Sequence, residues 1–314
     1  MRIGVLVDSA CDLPKSFLDE NGVVIMPIAV RIGDYLIEDR RDPAETLAFY
    51  EAHLDRKSDN FAESMPFSPE QIEALFLERL VLDFDYVFCL TITAARSKIY
   101  DNSMDASRSV LNKYKQARTK AGLPERFGLA VLSSRNMFTG QAVQAAEAIR
   151  LIKQGATPRE VGARLNDLVD KTHAYVIPAD LYHIHKRASK RGDKSVGWGS
   201  YMIGSMLDVK PILYCHMDDT GPVAKVRGFE TAATKLFAVT VAAIRSGLEA
   251  PIVSVSYGGH LEKLKTMNGF AELTRVAAEH KVELLLSLMS TTAAVNVGPG
   301  ALSMAFIAAN KPEL

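Results

Sequence analysis

Three apolar runs, the first of them rich in β-branched residues, constrain the fold of this chain more than any other feature. They are Ile3 to Val7, Tyr86 to Ile92 and Phe127 to Leu132. Hydroxyl or carboxyl side chains follow each run, and a helical pattern comes next. Continuous apolar runs are typical of strands buried on both faces of a parallel sheet. We therefore predict a doubly wound α/β sheet whose polar strand ends meet at one edge.

The second half of the chain again alternates strands with helices, after a break at Gly155-Ala156-Thr157-Pro158. Thr157 and Glu160 have the spacing of a capping box, which restarts the chain as a helix. A chain of 314 residues exceeds the usual single domain. The sequence thus predicts an N-terminal α/β domain over residues 1–155, a C-terminal α/β domain over residues 156–314 and a ligand cleft between them.

Local patterns predict several individual elements. A helix is expected after the capping box Ser68 to Gln71. Two β-hairpins are expected. One lies between Val23 to Arg31 and Tyr35 to Ile37, and the other joins Pro211 to Cys215 and Val223 to Val226 through the turn Asp218-Asp219-Thr220-Gly221. Further predicted helices cover 46–54, 181–190 and 202–207. Near the end of the chain, a strand-like stretch from Val295 runs into Gly298-Pro299-Gly300, a turn in which backbone N–H groups can approach a ligand.

Composition and charge exclude several classes of function. Lys plus Arg and Asp plus Glu are equal at 37 each, which argues against a broad nucleic-acid-binding surface and leaves small molecules and proteins as partners. No segment approaches the roughly 20 apolar residues of a membrane span, and the apolar run after Met1 is too short for a signal peptide. Three widely spaced cysteines favour free thiols. We expect a soluble, cytoplasmic protein.

Few residues point to catalysis by their spacing. His183 and His185 would diverge on a helix, and no cysteine pair has zinc-like spacing, so we expect no metal site. The chain has no phosphate-binding loop and no nucleophile-elbow serine, so we expect no cofactor. Asp8 and Ser9 are either site residues or caps of the helix near Pro14. Gly258-Gly259 is either an anion site or a tight turn.

A set of short motifs is spread from residue 3 to about 307. The motifs are Val7-Asp8-Ser9 with Asp12-Leu13-Pro14, Ser64 before Pro66, Ser97 with Tyr100, Gly204-Ser205-Met206-Leu207-Asp208-Val209-Lys210-Pro211-Ile212-Leu213, Lys225-Val226-Arg227 and Gly298-Pro299-Gly300. Together these motifs resemble the DegV family of bacterial fatty-acid-binding proteins. Their order and separation match those of the family. This resemblance implies a two-domain α/β fold with a buried acyl chain in the N-terminal domain and its carboxylate at the domain interface.

The resemblance also assigns the residues of the head-group site. In one branch of the family the protein is the acyl-carrying subunit of a fatty acid kinase, and a separate ATP-binding subunit phosphorylates the carboxylate. An acyl chain gains roughly 0.8 kcal/mol per buried CH₂, so a few polar groups suffice to orient it. The residues that the resemblance assigns to this site are Glu63, Ser64, Thr93, Ser97, Arg227, Asn296 and Gly298.

The chain departs from the family pattern at several polar positions. Glu63 replaces a hydroxyl, so its carboxylate points away from the ligand, is protonated, or faces a ligand that is not a free acid. Asn296 stands at the position of a histidine, and Ser195 lies in a loop that has lost its arginine. Asn296 can donate a hydrogen bond but cannot titrate. The new basic residues Arg96, Lys98, Arg191 and Lys194 are either replacements for the lost charge or solvated surface groups.

Three hypotheses follow for function. The first, which we favour, is a non-catalytic carrier of a long-chain fatty acid or similar lipid. It would present this ligand to a separate kinase subunit where such a partner exists. The second is a catalytic subunit of a fatty acid kinase, for which no ATP site is visible. The third is a diverged paralogue that binds another amphiphile or acts as a regulatory module, which Glu63 and Asn296 motivate.

Overall fold

The computed structural model describes residues 1–52, 62–179, 181 and 208–314. The predicted helices over 181–190 and 202–207, and the basic residues Arg191 and Lys194, lie outside this part of the chain, as do His183, His185 and Ser195. The strands are β1 Ile3–Asp8, β2 Val24–Met26, β3 Ile28–Ile32, β4 Tyr35–Asp39, β5 Ala62–Met65, β6 Tyr86–Thr91, β7 Gly128–Ser133, β8 Thr172–Ile177, β9 Val209–His216, β10 Asp219–Arg227, β11 Ile252–Tyr257, β12 Glu283–Leu288 and β13 Leu302–Ile307.

The helices alternate with these strands over most of the described chain. They are α1 Lys15–Glu20, α2 Pro43–Glu51, α3 Pro69–Leu75, α4 Val81–Asp83, α5 Ile99–Lys120, α6 Thr139–Lys153, α7 Pro158–Leu168, α8 Phe229–Ser246, α9 Leu261–Lys265, α10 Phe270–Glu279 and α11 Thr291–Val297. A π-helical turn, Phe76–Leu80, joins α3 to α4, and a 3-10 turn, Val169–Lys171, follows α7. No helix within the described ranges is long and apolar enough to cross a membrane.

The strands form a parallel sheet, a mixed sheet and a small antiparallel sheet. The parallel sheet has the order β2-β1-β6-β7, and β1, β6 and β7 are the three strands that the apolar runs predict. The mixed sheet has the order β10-β9-β8-β13-β11-β12, and the small antiparallel sheet has the order β4-β3-β5. The α/β class with a parallel N-terminal sheet and a second α/β region is therefore confirmed.

Helix α6 lies between the two larger sheets. It contacts β1 and β6 of the parallel sheet and β8, β11 and β13 of the mixed sheet. Every residue from Thr139 to Ile149 is buried, including the polar side chains of Gln141, Gln144 and Glu147. The predicted N-terminal domain thus ends in a helix that also forms part of the core beneath the C-terminal sheet. The boundary near residue 155 stays a prediction.

Two helix starts agree with the sequence and one helix begins earlier than expected. The capping boxes at Ser68 and Thr157 are both formed, with reciprocal hydrogen bonds to Gln71 and Glu160. Helix α2 begins at Pro43, because the Asp42 side chain accepts hydrogen bonds from the backbone N–H groups of the first turn.

The hairpins differ from the sequence prediction in register. Val23 to Arg31 is not one strand, because the chain changes sheets at Pro27, which has no N–H to donate to a ladder. The second hairpin turns at Met217 and Asp218, since His216 pairs with Asp219. Both turn residues have positive φ, 50° and 73°, as a two-residue type I′ turn requires.

Candidate functional site

The carboxyl ends of β1, β6 and β7 form one edge of the parallel sheet, where an open α/β sheet binds ligands. The loop after β6 carries Thr93, and the loop after β7 carries Arg135. These strands are neighbours in the sheet, so the two loops lie side by side, and the Thr93 N–H donates to the carbonyl of Asn136 over 2.9 Å. The edge therefore brings a hydroxyl and a guanidinium together.

Both side chains bind the same carboxylate, that of Asp218. Thr93 Oγ1 donates to Asp218 Oδ1 over 2.6 Å, and Arg135 Nε donates to Asp218 Oδ2 over 2.6 Å. The backbone N–H of Asp218 also donates to the Arg135 carbonyl over 2.9 Å. Thr93 is buried, whereas the side chains of Arg135 and Asp218 are 42% and 31% exposed. We call these three residues the carboxylate cradle.

A cavity of about 540 Å³ lies beside the carboxylate cradle. This volume is in the range of small-molecule sites. Arg135 and Met217, the neighbour of Asp218, line one part of it. The other lining residues are apolar side chains of the sheet and its helices, with polar groups among them: Leu90, Tyr100, Val131, Leu132, Ser133, Gln144, Leu165, Asn166, Asp167, Val169 and Asp170. The lining is about half apolar and half polar, and its apolar part lies next to a group that binds a carboxylate, an arrangement that can receive an amphiphilic ligand.

Ser64 and Glu63 are adjacent on β5 and therefore face opposite sides of the small antiparallel sheet. Glu63 lies directly opposite Arg31 in the ladder, and their side chains form an ion pair of 2.8 Å. Of the three interpretations of Glu63, this pairing favours the first, in which the carboxylate points away from Ser64. Ser64 is half-buried.

Ser97 lies in the turn before α5, where its Oγ accepts a hydrogen bond from the backbone N–H of Ile99 over 3.2 Å. One turn into the helix, Asn102 Nδ2 donates to the carbonyl of Phe67 over 2.7 Å. This bond holds the start of α5 against the segment that follows Ser64. The structure thus brings the Ser97 turn and the segment after Ser64 into one neighbourhood.

Asn296 lies in helix α11, so the strand predicted before the Gly-Pro-Gly turn is wrong. The helix forms because Ser290 caps it, with its Oγ accepting from the N–H of Ala293, and because Ala294 and Val295 pack against β3 and β5. Asn296 is half-buried, and its Nδ2 donates to the carbonyl of Thr292 over 2.7 Å. Its second amide N–H and its oxygen can still serve a ligand.

The Gly-Pro-Gly turn packs closely against the loop after β11. The Gly298 N–H donates to the Ala294 carbonyl, and the Gly300 N–H donates to the Gly258 carbonyl, each over 2.7 Å. A Cβ on Gly258 would lie 2.9 Å from the Gly300 nitrogen. Both glycine segments therefore serve close backbone packing. The tight-turn interpretation of Gly258-Gly259 agrees with this geometry, and the Gly298 N–H already has a protein acceptor.

Arg227 lies at the opposite end of the β9–β10 hairpin from the carboxylate cradle. Strand β10 is nine residues long, so its ends are roughly 25 Å apart. Arg227 is exposed and pairs with Val209. Next to Val209, Lys210 donates to the carbonyl of Ala179, which also neighbours Gly300. The structure brings Arg227 toward the Gly-Pro-Gly turn and does not bring it to Thr93.

Asp8 and Ser9 are buried in a polar network and cap no helix. Asp8 accepts from the N–H groups of Ala10 and Ile92, over 3.0 and 2.7 Å, and from the side chain of Gln141. Burial raises the pKa of Asp8 to about 6, and the hydrogen bonds oppose this rise. Ser9 Oγ lies 3.2 Å from Thr292 Oγ1. Both residues connect the β1 loop to its surroundings.

Asp12 extends this network to the mixed sheet. Its carboxylate accepts from Ser256 Oγ over 2.6 Å and from the Ser290 N–H over 2.9 Å, and it lies 3.4 Å from the buried guanidinium of Arg41. Burial raises the pKa of Asp12, and Arg41 opposes this rise. This network joins the halves of the chain. No cluster of metal-ligating side chains occurs among the described residues.

Arg135 and Asp218 are the site residues that the sequence interpretation missed. The sequence could have indicated Arg135 as a site residue, because it follows β7 as Thr93 follows β6. No sequence pattern indicated Asp218 beyond its place in a predicted turn, since its contact with Thr93 depends on the position of the whole hairpin. Arg96 and Lys98 are exposed, as their solvated alternative predicts.

Comparison with known proteins now identifies the family. Residues 2–309 match the sequence model whose description reads "Uncharacterised protein, DegV family". A DegV domain-containing protein of Xanthomonas campestris is 48% identical over 308 residues, which cover 98% of each chain. The chain belongs to the DegV family.

Two further matches extend over nearly the whole chain. A Thermotoga maritima relative named "Fatty acid-binding protein" is 24% identical over 308 residues, 96% of each chain. A solved structure of a stearic acid-binding protein from Eubacterium ventriosum is 22% identical, covers 98% of both chains and superimposes with a TM-score of 0.76. At that identity the superposition shows a shared fold.

Proposed function

We propose that this protein binds a long-chain fatty acid or a similar lipid, with the acyl chain buried and the head group at the ligand edge of the parallel sheet. The observation that carries the proposal is the carboxylate cradle, in which Thr93 and Arg135 hold a carboxylate beside a cavity of about 540 Å³. The fatty-acid-binding names of the Thermotoga and Eubacterium relatives support it.

Both predicted domains would contribute to the ligand site. Residues 1–155 would supply the wall of the acyl cavity that the parallel sheet forms. Residues 156–314 would supply the opposite wall, from Leu165 to Asp170, and would close the head-group site from the mixed sheet. Ser64, Ser97 and Asn296 would orient the ligand together with Thr93. Arg227, Glu63 and Gly298 stay outside this core set, since Arg227 is distant from Thr93 and the other two already have protein partners. A cytoplasmic location, expected from the cysteine usage, stays a prediction.

Mass spectrometry of lipid extracted from the purified protein tests the proposal. We expect about one long-chain fatty acid per chain, and added palmitate or oleate should bind to delipidated protein. A matched pair of variants locates the ligand: Val131→Trp fills the cavity and should abolish binding, whereas Leu129→Trp, on the same strand and the same face but outside the cavity lining, should retain it. Protein that contains no lipid and binds none when supplied would contradict the proposal.

A role in presenting the ligand to a kinase subunit is a separate part of the proposal. Asn296 gives it little support, because its amide donates to Thr292 and cannot titrate. Incubation with ATP and a fatty acid kinase subunit from the same organism tests this role. Acyl phosphate formation would support the kinase partner. Its absence, with normal lipid binding, would favour the diverged paralogue without acyl phosphorylation.

A further inference from the structure

The carboxylate cradle contains two hydrogen-bond donors and one acceptor, and all three belong to the protein. Both donors come from the ligand edge of the parallel sheet, whereas the acceptor comes from the tip of a hairpin in the mixed sheet. Each carboxylate oxygen of Asp218 takes one donor over 2.6 Å. A fatty acid whose chain lay in the adjoining cavity would bring a chemically identical group to the same donors.

We propose that Asp218 is an internal competitor for the head-group position, and that the carboxylate of a bound lipid exchanges with it at Thr93 and Arg135. This inference rests on the proposed function. Two carboxylates cannot share the cradle cheaply, because one guanidinium would then face two negative charges. The hairpin tip must therefore withdraw when an anionic head group enters, and Asp218 sets how readily it does so.

The backbone of the tip is suited to such an exchange. Met217 and Asp218 have φ values of 50° and 73°, and Arg135, which accepts the Asp218 N–H, has a φ of 50°. The hairpin turn imposes this conformation on Met217 and Asp218 whether or not the cradle contacts are made. The tip can therefore move away from Thr93 and Arg135 as one unit, without a change in its turn type.

The position of the hairpin also permits movement. Strand β10 is the edge strand of the mixed sheet, and most of its residues are exposed or half-buried. Its register with β9 shifts between Pro222 and Ala224, so the ladder is already interrupted four residues from the tip. Displacement of the tip therefore leaves the central strands of the sheet unchanged.

The predicted consequence is that a ligand carboxylate must displace Asp218 before it can bind, which lowers its affinity. Removal of the Asp218 carboxylate should therefore raise the affinity for a fatty acid and leave the affinity for a neutral amphiphile of the same length unchanged. Asp219 provides a matched control, because it is adjacent, exposed and carries the same charge. Asp218→Gly provides a second variant that suits the turn, since glycine adopts positive φ without strain.

The experiment measures dissociation constants of the delipidated full chain for palmitate and for hexadecan-1-ol. Asp218→Asn and Asp218→Gly should bind palmitate about tenfold more tightly than wild type, as expected for removal of one charge-assisted competitor. Their affinity for hexadecan-1-ol should change less than twofold, and Asp219→Asn should leave both ligands unaffected.

A coupling measurement separates exchange from a general change in the hairpin. Thr93→Val removes a donor from both Asp218 and the ligand, so its cost to palmitate binding should be severalfold larger in the Asp218→Gly background, where no competitor is weakened, than in wild type. Equal palmitate affinities in both Asp218 variants, Asp219→Asn and wild type would overturn the exchange alone. The absence of lipid binding in all forms would overturn the proposed function as well.

Discussion

Thr292 donates two hydrogen bonds to Asp39, one from its backbone N–H and one from its hydroxyl, and each is 2.8 Å long. The second oxygen of the same buried carboxylate accepts from the Arg41 N–H over 3.1 Å. Asp39 ends β4 of the small antiparallel sheet, and Thr292 lies in the first turn of α11 in the C-terminal half. This contact fixes the helix that carries Asn296 beside the strand that carries Ser64.

Asp39→Asn should lower the free energy of unfolding by about 1.5–3 kcal/mol, since hydrogen bonds to a charged group are lost in a buried site. Urea unfolding measures the change. Asp34→Asn is the control, because Asp34 lies exposed in the turn of the same hairpin and its substitution should stay within about 0.5 kcal/mol. Equal losses in both variants would contradict the role of this contact.

Asp8 should make stability depend on pH in a defined window. Its folded-state pKa is raised from 3.8 to about 6 by burial, so the folded protein binds the proton more tightly than the unfolded chain. The contribution of Asp8 to the free energy of unfolding, roughly 3 kcal/mol, is fully present below about pH 4 and is lost as the pH rises through 6.

The comparison of wild type with Asp8→Asn isolates this contribution. Burial lowers the pKa of His173 to about 4, which gives a dependence of opposite sign in the same range, so only the difference between the two proteins is informative. Urea unfolding between pH 4 and 7 should show the variant gaining stability relative to wild type as pH rises. Parallel curves would count against a titrating Asp8.

The pairing of Glu63 with Arg31 predicts that restoring a hydroxyl at this position changes ligand binding little. Glu63→Thr should alter palmitate affinity less than twofold, because its side chain lies on the opposite face from Ser64. Ser64→Ala should weaken palmitate binding by about threefold to tenfold, the effect of one lost hydrogen bond. Calorimetric titration of both variants decides the matter, and a large effect of Glu63→Thr alone would place Glu63 at the ligand.

The close approach of the two glycine segments predicts a steric effect at Gly258. A Cβ there would meet the Gly300 nitrogen at 2.9 Å, so Gly258→Ala should lower the free energy of unfolding by about 1–3 kcal/mol. Gly221→Ala is a suitable control, since nothing lies within 4 Å of its added Cβ. A melting temperature shifted equally by both substitutions would argue against tight packing at this turn.

The parallel sheet could be predicted from sequence because β1 and β6 are buried on both faces and the half-buried edge strand β7 is apolar as well, so all three appear as apolar runs. The stretch from Val295 was wrongly predicted as a strand because it, too, is apolar. Two valines flanking Asn296 imitate a strand, but the Ser290 cap and packing against β3 and β5 favour a helix. Local propensity is a weak guide where tertiary contacts decide.

The candidate site could be predicted only in part. Thr93 was identified from the family resemblance and from its position after a predicted strand, because the end of a parallel strand lies at the ligand edge of the sheet. Its partner Asp218 is 125 residues away in the chain, and their contact depends on the register of a hairpin turn. A one-residue shift of that turn would place Asp219 at the tip instead, and no local sequence pattern distinguishes the two.

Helix α6 has a consequence for how the chain folds and unfolds. Because it is buried on both sides, residues 1–155 expressed alone would expose the face of α6 that packs on the mixed sheet, and residues 156–314 alone would expose the sheet surface that α6 covers. The two halves should therefore melt in a single cooperative transition despite their separate sheets. A lipid bound at the ligand edge would then raise the melting temperature of the whole molecule.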